Sequence, residues 1–230
     1  MVLEYTAAMI FMPLSAASPC LARTFVAVAI VTATLGSAAS VSSADPDWRS
    51  LFDGRDLGAW KATPFGGEGE LSVVDGAIRI AIGSDLSGMT WSGPFPRTNF
   101  EIELEARRDD GIDFFCGLTF PVGEGSCSFI AGGWGGTVIG LSSIDGRDAS
   151  DNPTTTGGSF KSGRWYRVRV RVTHERIECF IDDEQVVDQE VAGHRFSVRD
   201  EMVPAQPLGI ATYATAASIR GLRWRSVESP

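Results

Sequence analysis

The sequence predicts an all-β protein built as a two-sheet antiparallel β-sandwich. Three observations support this prediction: strand-like segments fill most of the chain, tight turns separate them at close intervals, and no sustained helical period lies between them. Helices alternating with the strands would have indicated a parallel sheet instead. A single domain over residues 45–230 is the simplest organisation, because no repeat or low-complexity linker divides this region.

Residues 1–44 have the pattern of a secretory signal peptide and leader. Arg23 precedes the apolar run 24–31, and small residues follow as far as Ala44. A positive charge, a short apolar core and a small-residue exit are typical of a cleaved export signal, whereas a membrane-spanning helix needs about 20 apolar residues. We therefore expect cleavage after Ala39 or Ala44 and a periplasmic or extracellular protein. An uncleaved membrane anchor is the alternative.

The charge of the chain limits its partners. The formal net charge is −9, and the one acid and one base of the leader cancel each other. Nucleic acids and anionic membranes are disfavoured, because binding phosphate requires a basic face. Neutral carbohydrates are compatible with this charge.

Three cysteines, Cys116, Cys127 and Cys179, follow the leader. An exported protein can oxidise a pair of cysteines, and Cys116 and Cys127 flank a short glycine-containing turn, so a hairpin disulfide between them is one prediction. The alternative is that all three are small buried apolar residues, as free cysteines often are.

The opening of the domain reads Leu-Phe-Asp-Gly-Arg-Asp-Leu-Gly-Ala-Trp over residues 51–60. Its apolar residues surround a tight Asp-Gly turn, which is typical of the start of a packed domain. A hairpin follows, with arms 71–74 and 77–80 joined by Asp75 and Gly76, because an Asp-Gly pair supplies the positive φ angles of a two-residue loop. The next strand, 99–107, alternates apolar residues with Glu101, Glu103 and Glu105.

A second hairpin runs from Trp165 to Val187, with a four-residue loop at 173–176. Its predicted register pairs valines 168, 170 and 172 with residues 181, 179 and 177, since a one-residue slip would oppose apolar and charged side chains. Its outward arginines 167, 169 and 171 have the same period as the outward glutamates of strand 99–107. We therefore predict that these two strands are neighbours and that the two stripes pair across one sheet.

The last part of the chain supplies the closing strands, 208–213 and 219–227. Residues 202–207 contain two prolines and are predicted to be a loop.

The stretch from Ala131 to Gly158 is rich in Gly, Ser, Thr and Asp and is predicted to be a long loop, which in a compact β-domain usually has a function. Trp134 lies among four glycines, so it is either an exposed indole that stacks on a sugar or a core residue on a kinked strand. Further along the loop are polar residues that can hold sugar hydroxyls or calcium: Asp145, Arg147, Asp148, Asp151 and Asn152. Their spacing does not match an EF-hand, and ordinary solvation of these charges is the alternative. No cofactor is otherwise predicted.

Taken together, the 51–60 opening, the Val-Asp-Gly turn at 74–76, the strand beginning at Asn99, the segment 165–168 and the turn at 181–183 resemble the 3-keto-disaccharide hydrolase domain family. The resemblance covers the whole of residues 45–230. It implies a jelly roll of the concanavalin A-like lectin/glucanase type and a carbohydrate partner. These motifs are mostly structural, so they bear on the fold more than on activity.

The chain departs from the family pattern at its polar centre. Family members follow a Gly-Ile-Phe-Phe strand with an arginine and place Glu-x-Gln and an aspartate on the next strand. Here segment 111–115 reads Gly-Ile-Asp-Phe-Phe and is followed by Cys116, and strand 127–132 carries no such group.

The activity implied by the resemblance is cleavage of 3-keto-glycosides. A ketone at C3 acidifies the C2 proton, so a general base removes it and the glycosidic oxygen then leaves C1. Candidate bases are Asp113, Asp145, Asp148 and Asp151, with Arg147 as the donor to the enolate and Trp134 and Asn152 as substrate-binding residues. The alternatives are a non-catalytic lectin-like module that binds glycan through Trp134 and the same loop, and an envelope-associated interaction domain.

Overall fold

A computed structural model describes residues 47–228. The predicted signal peptide and leader lie outside these described residues. Within residues 47–228, no helix has the length and apolar character needed to cross a membrane.

The described chain is almost entirely β-structure. Its strands, in chain order, are β1 Arg49–Ser50, β2 Trp60–Ala62, β3 Leu71–Val74, β4 Ala77–Ile80, β5 Leu86–Trp91, β6 Phe100–Gly111, β7 Cys116–Val122, β8 Gly125–Gly132, β9 Val138–Ser142, β10 Thr156–Gly157, β11 Trp165–Val172, β12 Arg176–Ile181, β13 Glu184–Glu190, β14 Gly209–Tyr213 and β15 Thr215–Ser226. A single helical turn, Gly133–Gly136, follows β8, and a 3-10 helix, Asp200–Ala205, precedes β14.

The strands form two antiparallel sheets. Sheet A has the order β13-β12-β11-β6-β15-β4-β3, with β1 paired to β15, and sheet B has the order β10-β9-β8-β7-β14-β5-β2. Apolar side chains from both sheets form one large core cluster between them. The predicted two-sheet antiparallel sandwich of the jelly-roll type is confirmed.

Both predicted hairpins are confirmed. In the β3–β4 turn, Asp75 and Gly76 have φ angles of 51° and 75°, as a two-residue loop with a left-handed backbone requires. In the β11–β12 hairpin, the three valines of β11 pair with the predicted partners: Val168 with Ile181, Val170 with Cys179 and Val172 with Ile177. The alternation of buried and outward residues therefore determined this register correctly.

The charged stripes also lie on neighbouring strands, β6 and β11, as predicted. Across this pair Arg169 reaches Glu101 at 2.6 Å, but the other partners of the glutamates come from β15 on the opposite side of β6. The β15 pairs are Arg220 with Glu105 at 2.8 Å, Arg223 with Glu103 at 2.6 Å and Arg225 with Glu101 at 2.6 Å. A central strand has two neighbours, and the sequence pattern of β11 describes only one of them.

The opening motif anchors the start of the domain. Leu51, Phe52 and Trp60 are buried in the core cluster, and the indole N–H of Trp60 donates a 3.0 Å hydrogen bond to the carbonyl of Leu51. Between them Asp53 accepts a 2.8 Å bond from the backbone N–H of Arg55, which stabilises the turn.

The predicted disulfide between Cys116 and Cys127 is wrong. Both thiols are free and buried, as is that of Cys179. Cys116 pairs across the β7–β8 ladder with Ala131, and Cys127 pairs with Phe120. The two cysteines are therefore offset by four residues, roughly 13 Å along a strand, and a disulfide needs Cα atoms within about 7 Å. Burial raises the pKa of Cys116 and of Cys127 to about 12, so both remain neutral thiols.

Two predicted loops contain regular structure. The stretch from Ala131 to Gly158 includes strand β9 and the short strand β10, which extend sheet B. The region 202–207 begins in the 3-10 helix Asp200–Ala205, with Pro204 inside it. Gly140 lies within β9 and Pro204 within the 3-10 helix, so a composition rich in glycine and proline did not exclude short regular elements here.

Candidate functional site

The outer face of sheet B carries the most informative surface. Along β8, Cys127 and Phe129 belong to the core cluster, so Ser128 and Ile130 lie on the opposite face. Ser142 on β9 pairs directly with Ser128 and lies on the same outer face. This face therefore presents hydroxyl and aliphatic groups and no charged side chain at these positions.

A lid-like segment covers part of the outer face of sheet B. Met202 and Ala205, both in the 3-10 helix, form a small apolar cluster with Leu86, Val198 and Ala211, against which Phe65 and Phe114 pack. Glycines of the underlying strands permit this approach: a Cβ on Gly88 would lie 3.1 Å from Phe65, and one on Gly209 would lie 2.5 Å from the carbonyl of Ala205. A cavity lies beside this cluster, and Leu86, Phe114 and Met202 of the cluster help to line it.

The cavity has a volume of about 300 Å³, at the lower end of the range for ligand sites. Its floor consists of Ser128, Ile130 and Ser142 from sheet B. Thr119 Oγ1 lies 2.7 Å from Ser128 Oγ, so the Ser128 hydroxyl has a protein partner. Within residues 47–228 the buried Oγ of Ser142 has none. A buried hydroxyl without a partner costs free energy, which a bound polar group would recover.

Aromatic side chains form one wall of the cavity: Phe114, Trp134 and Tyr213. Phe114 and Tyr213 stack with ring centroids 6.1 Å apart, and the N–H of Tyr213 donates a 3.1 Å bond to the carbonyl of Phe114. The indole of Trp134 is 43% exposed, so the alternative that Trp134 is a core residue is wrong. Exposed aromatic faces beside hydroxyl groups are suited to the apolar C–H faces of a sugar.

The turn that carries Trp134 is tightly constrained. Trp134 itself has φ 49°, in the left-handed region. A Cβ on Gly133 would lie 2.8 Å from Ile130, and one on Gly136 would lie 2.5 Å from the carbonyl of Ile112. The flanking glycines thus let the turn pack against the cavity floor and against the loop before Asp113.

Three charged residues also line the cavity: Asp113, Arg199 and Glu201. Asp113 accepts backbone hydrogen bonds from Phe114 at 2.8 Å and from Gly135 at 2.7 Å. Arg199 donates to Glu201 at 2.5 Å and to Asp148 at 2.7 Å. The hydrogen bond to Glu201 is the main cause that raises the pKa of Arg199, which therefore remains charged.

The other predicted site residues do not line this cavity. Asp148 contacts it only through Arg199, and it also accepts bonds from Ser150. Its carboxyl is partly buried, which by itself would raise the pKa, but the Ser150 bonds and Arg199 together hold the pKa of Asp148 below its ordinary value. Arg147 and Asp151 are exposed in the turn between β9 and β10.

Asp145 lies in a separate cluster, where its carboxylate accepts a 2.8 Å bond from the backbone N–H of Arg195. The second carboxylate oxygen lies 2.7 Å from Nδ1 of His194. These contacts hold the pKa of Asp145 below its ordinary value, with the Arg195 bond the larger cause.

Asn152 has a structural environment. Its amide nitrogen donates to the carbonyls of Leu141, Arg147 and Asp148, and its amide oxygen accepts from Thr154. The side chain therefore holds the turn after β9 in place.

The sequence prediction missed several residues that line the cavity, namely Phe114, Ser128, Ser142, Arg199, Glu201 and Tyr213. Ser128 could have been found from the alternation in β8. Ser142 could not, because β9 was predicted to be loop. Over residues 47–228, no three His, Cys, Asp or Glu side chains converge in an arrangement that could hold a metal ion.

Larger surface depressions lie on the outer face of sheet A and beside strands β9 and β10. One of about 590 Å³ is lined by Glu103, Glu105, Arg167, Asp183 and Arg223 together with Trp165. These charged groups are engaged in ion pairs with one another or with β15. They offer few free polar groups to a ligand, so the sheet B cavity is the better candidate site.

The geometry defines an antiparallel β-sandwich with a small cavity on the outer face of one sheet. The chain belongs to the family of 3-keto-alpha-glucoside-1,2-lyase-like domains, whose sequence model matches residues 47–227. A search of curated proteins found no match.

Two solved structures with the same fold are described as proteins that act on carbohydrates. One is a proposed glycosyl hydrolase from Parabacteroides distasonis ATCC 8503, which is 13% identical, with a TM-score of 0.52 over 80% of this chain and 95% of that chain. Another is the Crh5 transglycosylase in complex with NAG, which is 11% identical, with a TM-score of 0.56 over 80% of this chain and 85% of that chain. At these identities the likeness establishes the shared fold alone.

Proposed function

We propose that this chain is a carbohydrate-binding protein whose cavity on sheet B holds a glucoside. The observation that carries the proposal is that one cavity contains both a buried Ser142 hydroxyl without a hydrogen-bond partner, on its floor, and the exposed Trp134 indole, on its wall. A sugar ring presents hydroxyls at its edge and C–H groups on its faces, and this cavity offers a partner for each. The family description supports an α-glucoside as the ligand class.

Calorimetric titration tests this proposal with methyl α-D-glucopyranoside and its 3-keto derivative. We expect saturable binding that Trp134→Asn weakens about twofold to tenfold, because a stacked aromatic contributes on the order of 0.5–1.5 kcal/mol. Asparagine is chosen because it tolerates the left-handed backbone at this position. Val74→Asn, an exposed apolar position on sheet A, is the matched control. Absence of binding to both sugars would exclude the proposal.

Cleavage of a 3-keto-α-glucoside is the second candidate function, and the position of Asp113 favours it. Of the four carboxylates predicted as bases, Asp113 alone lines the cavity. In this reaction the base removes the C2 proton, the electron pair forms the enolate, and the C1–O bond breaks with its electrons leaving on the aglycone oxygen. The product is an unsaturated ketone, and subsequent addition of water completes a net hydrolysis. For this function we propose Arg199, which also lines the cavity, as the group that stabilises the enolate charge.

This second function is tested with 4-nitrophenyl 3-keto-α-D-glucopyranoside, whose cleavage releases a coloured phenolate. We expect turnover that Asp113→Asn reduces about 100-fold or more, while Asp110→Asn, the neighbouring control, leaves it unchanged. Exchange of the C2 proton in deuterated water would accompany turnover. No turnover by the intact protein, together with sugar binding, would leave the binding function alone.

We also propose that the protein is exported, on the basis of the signal-peptide pattern of residues 23–44. N-terminal sequencing of the protein from native cell fractions is expected to begin at residue 40 or 45, in the periplasmic or extracellular fraction. Recovery from the cytoplasm with residues 1–44 intact would contradict it.

A further inference from the structure

Few of the described side chains that line the sheet B cavity can give up a proton. The serine hydroxyls of the floor and the Trp134 indole donate hydrogen bonds but keep their protons in water. Glu201 lies 2.5 Å from Arg199, in an ion pair that the ionised carboxylate makes. Asp113 is the proposed base, which takes a proton. This leaves the phenol of Tyr213, and tyrosine is one of the side chains that enzymes use as a general acid.

The hydroxyl of Tyr213 is not committed to the fold. Within residues 47–228 it has no hydrogen-bond partner, and the residue is 40% exposed. The hydroxyl of Tyr166 differs, because it accepts a 2.7 Å bond from the N–H of Lys161. A phenol that bonds no protein group is free to donate its proton to a ligand in the cavity.

The ring of Tyr213 is held beside the proposed base. It stacks on Phe114 with an interplanar angle of 28°, and its backbone N–H donates a 3.1 Å bond to the Phe114 carbonyl. Two residues further along, Thr215 Oγ1 accepts a 3.1 Å bond from the N–H of Asp113. The end of β14 and the start of β15 therefore hold Asp113 and Phe114 against Tyr213. A group fixed in this way loses little freedom when a substrate reacts.

We infer that Tyr213 is the general acid that protonates the leaving aglycone oxygen. Asp113 removes the C2 proton, the electron pair of the enolate expels the oxygen from C1, and Oη of Tyr213 gives its proton to that oxygen. The aglycone leaves as a neutral alcohol. Asp113 then holds one proton more and Tyr213 one fewer, and exchange with water at the exposed side chain restores both. The inference rests on the proposed cleavage, since it supplies the proton that this reaction needs.

The experiment compares two 3-keto-α-D-glucopyranosides whose aglycones differ in their need for a proton. Methoxide is a poor leaving group, whereas 4-nitrophenolate is a stable anion that leaves without protonation. In the full chain, Tyr213→Phe is expected to slow release of methanol about 100-fold or more and release of 4-nitrophenol less than about twofold. The free energy of unfolding in urea should be unchanged, because the deleted hydroxyl bonds no group in the described chain.

Tyr166→Phe is the matched control, since Tyr166 does not line this cavity, and it should change turnover of neither substrate. An equal loss for both substrates in Tyr213→Phe, or no loss for either, would overturn the inference and leave the cleavage function standing. Cleavage of the 4-nitrophenyl substrate alone by the intact protein would also overturn it. Failure of the intact protein to cleave either substrate would instead reject the cleavage function, and the inference with it, while titration decides separately whether the sugar binds.

Discussion

Oδ2 of Asp113 accepts a 2.7 Å hydrogen bond from the backbone N–H of Gly135 and thereby connects two separate walls of the cavity. Asp113 follows strand β6, and Gly135 lies in the turn after strand β8 beside Trp134. The other carboxylate oxygen accepts the N–H of Phe114. One side chain therefore orients both an aromatic wall residue and the turn that carries the exposed indole.

We expect Asp113→Asn to lose one of its two backbone hydrogen bonds, from Phe114 or from Gly135, because an amide has a single acceptor oxygen. The free energy of unfolding should fall by about 1 kcal/mol, and the near-ultraviolet circular dichroism of Trp134 should change. Denaturation in urea measures the first effect. Asp110→Asn is the control, since Asp110 bonds only the N–H of its neighbour Gly111 and an amide oxygen can preserve that bond. An unchanged spectrum in Asp113→Asn would contradict the positioning role.

Removal of the hydroxyl should have different effects on stability at the two serines of the cavity floor, Ser128 and Ser142. Ser128→Ala leaves Thr119 Oγ1 without its partner and should cost about 1 kcal/mol of stability. Ser142→Ala removes a buried oxygen that has no partner in the described chain, so stability should be unchanged or slightly higher. The same Ser142 variant should weaken glucoside binding about fivefold to tenfold. Thermal and urea denaturation of both variants, together with titration, measure these effects, and equal destabilisation would show that Ser142 is bonded in the native state.

The glutamates along the outer face of β6 should contribute unequally to the free energy of unfolding. Glu101 is 2% exposed and paired with two arginines, Arg169 and Arg225, whereas Glu105 is 39% exposed and paired with Arg220. Removing the carboxylate of a buried ion pair leaves its arginine partners without a counter-charge. Glu101→Ala should therefore lower the free energy of unfolding by about 3 kcal/mol. Solvent screens the Glu105 pair, and Glu105→Ala should cost less than about 1 kcal/mol. Similar losses in urea denaturation for the two variants would contradict this difference.

The ionised Asp145 carboxylate should stabilise the protein at neutral pH, and this contribution should be lost in acid. The Arg195 and His194 contacts hold the pKa of Asp145 below its ordinary value of 3.8. A depressed folded pKa contributes stability that is present above the unfolded pKa and is lost as the pH falls through the folded pKa. The difference in unfolding free energy between the wild type and Asp145→Asn should therefore be largest near neutral pH and shrink below about pH 4. Asparagine suits the left-handed backbone of residue 145, and a difference that stayed constant with pH would contradict the assignment.

Local sequence patterns were sufficient for the elements whose determinants lie close together along the chain. Alternation with a period of two placed Val168, Val170 and Val172 on the core face, and the Asp75–Gly76 pair located its hairpin turn. Both depend on neighbouring residues and on burial of one face. The departure of residues 116–132 from the family pattern was also visible, and it corresponds to the uncharged outer face of β8.

The site depended on relations that the sequence does not contain. Asp113, Trp134, Ser142, Arg199 and Tyr213 meet because sheet B brings β8, β9 and β14 together and the 3-10 helix covers the rest of the face. Residue type and loop location alone favoured Asp145, Asp148 and Asp151, which the turn after β9 directs elsewhere. By itself the sequence determined the sandwich and its main hairpins, since these follow from local periodicity, and its motifs carried the resemblance to the family. Only the tertiary structure decided which polar groups share a cavity, because that depends on strands distant in sequence, and the register of the β7–β8 hairpin decided that Cys116 and Cys127 stay apart.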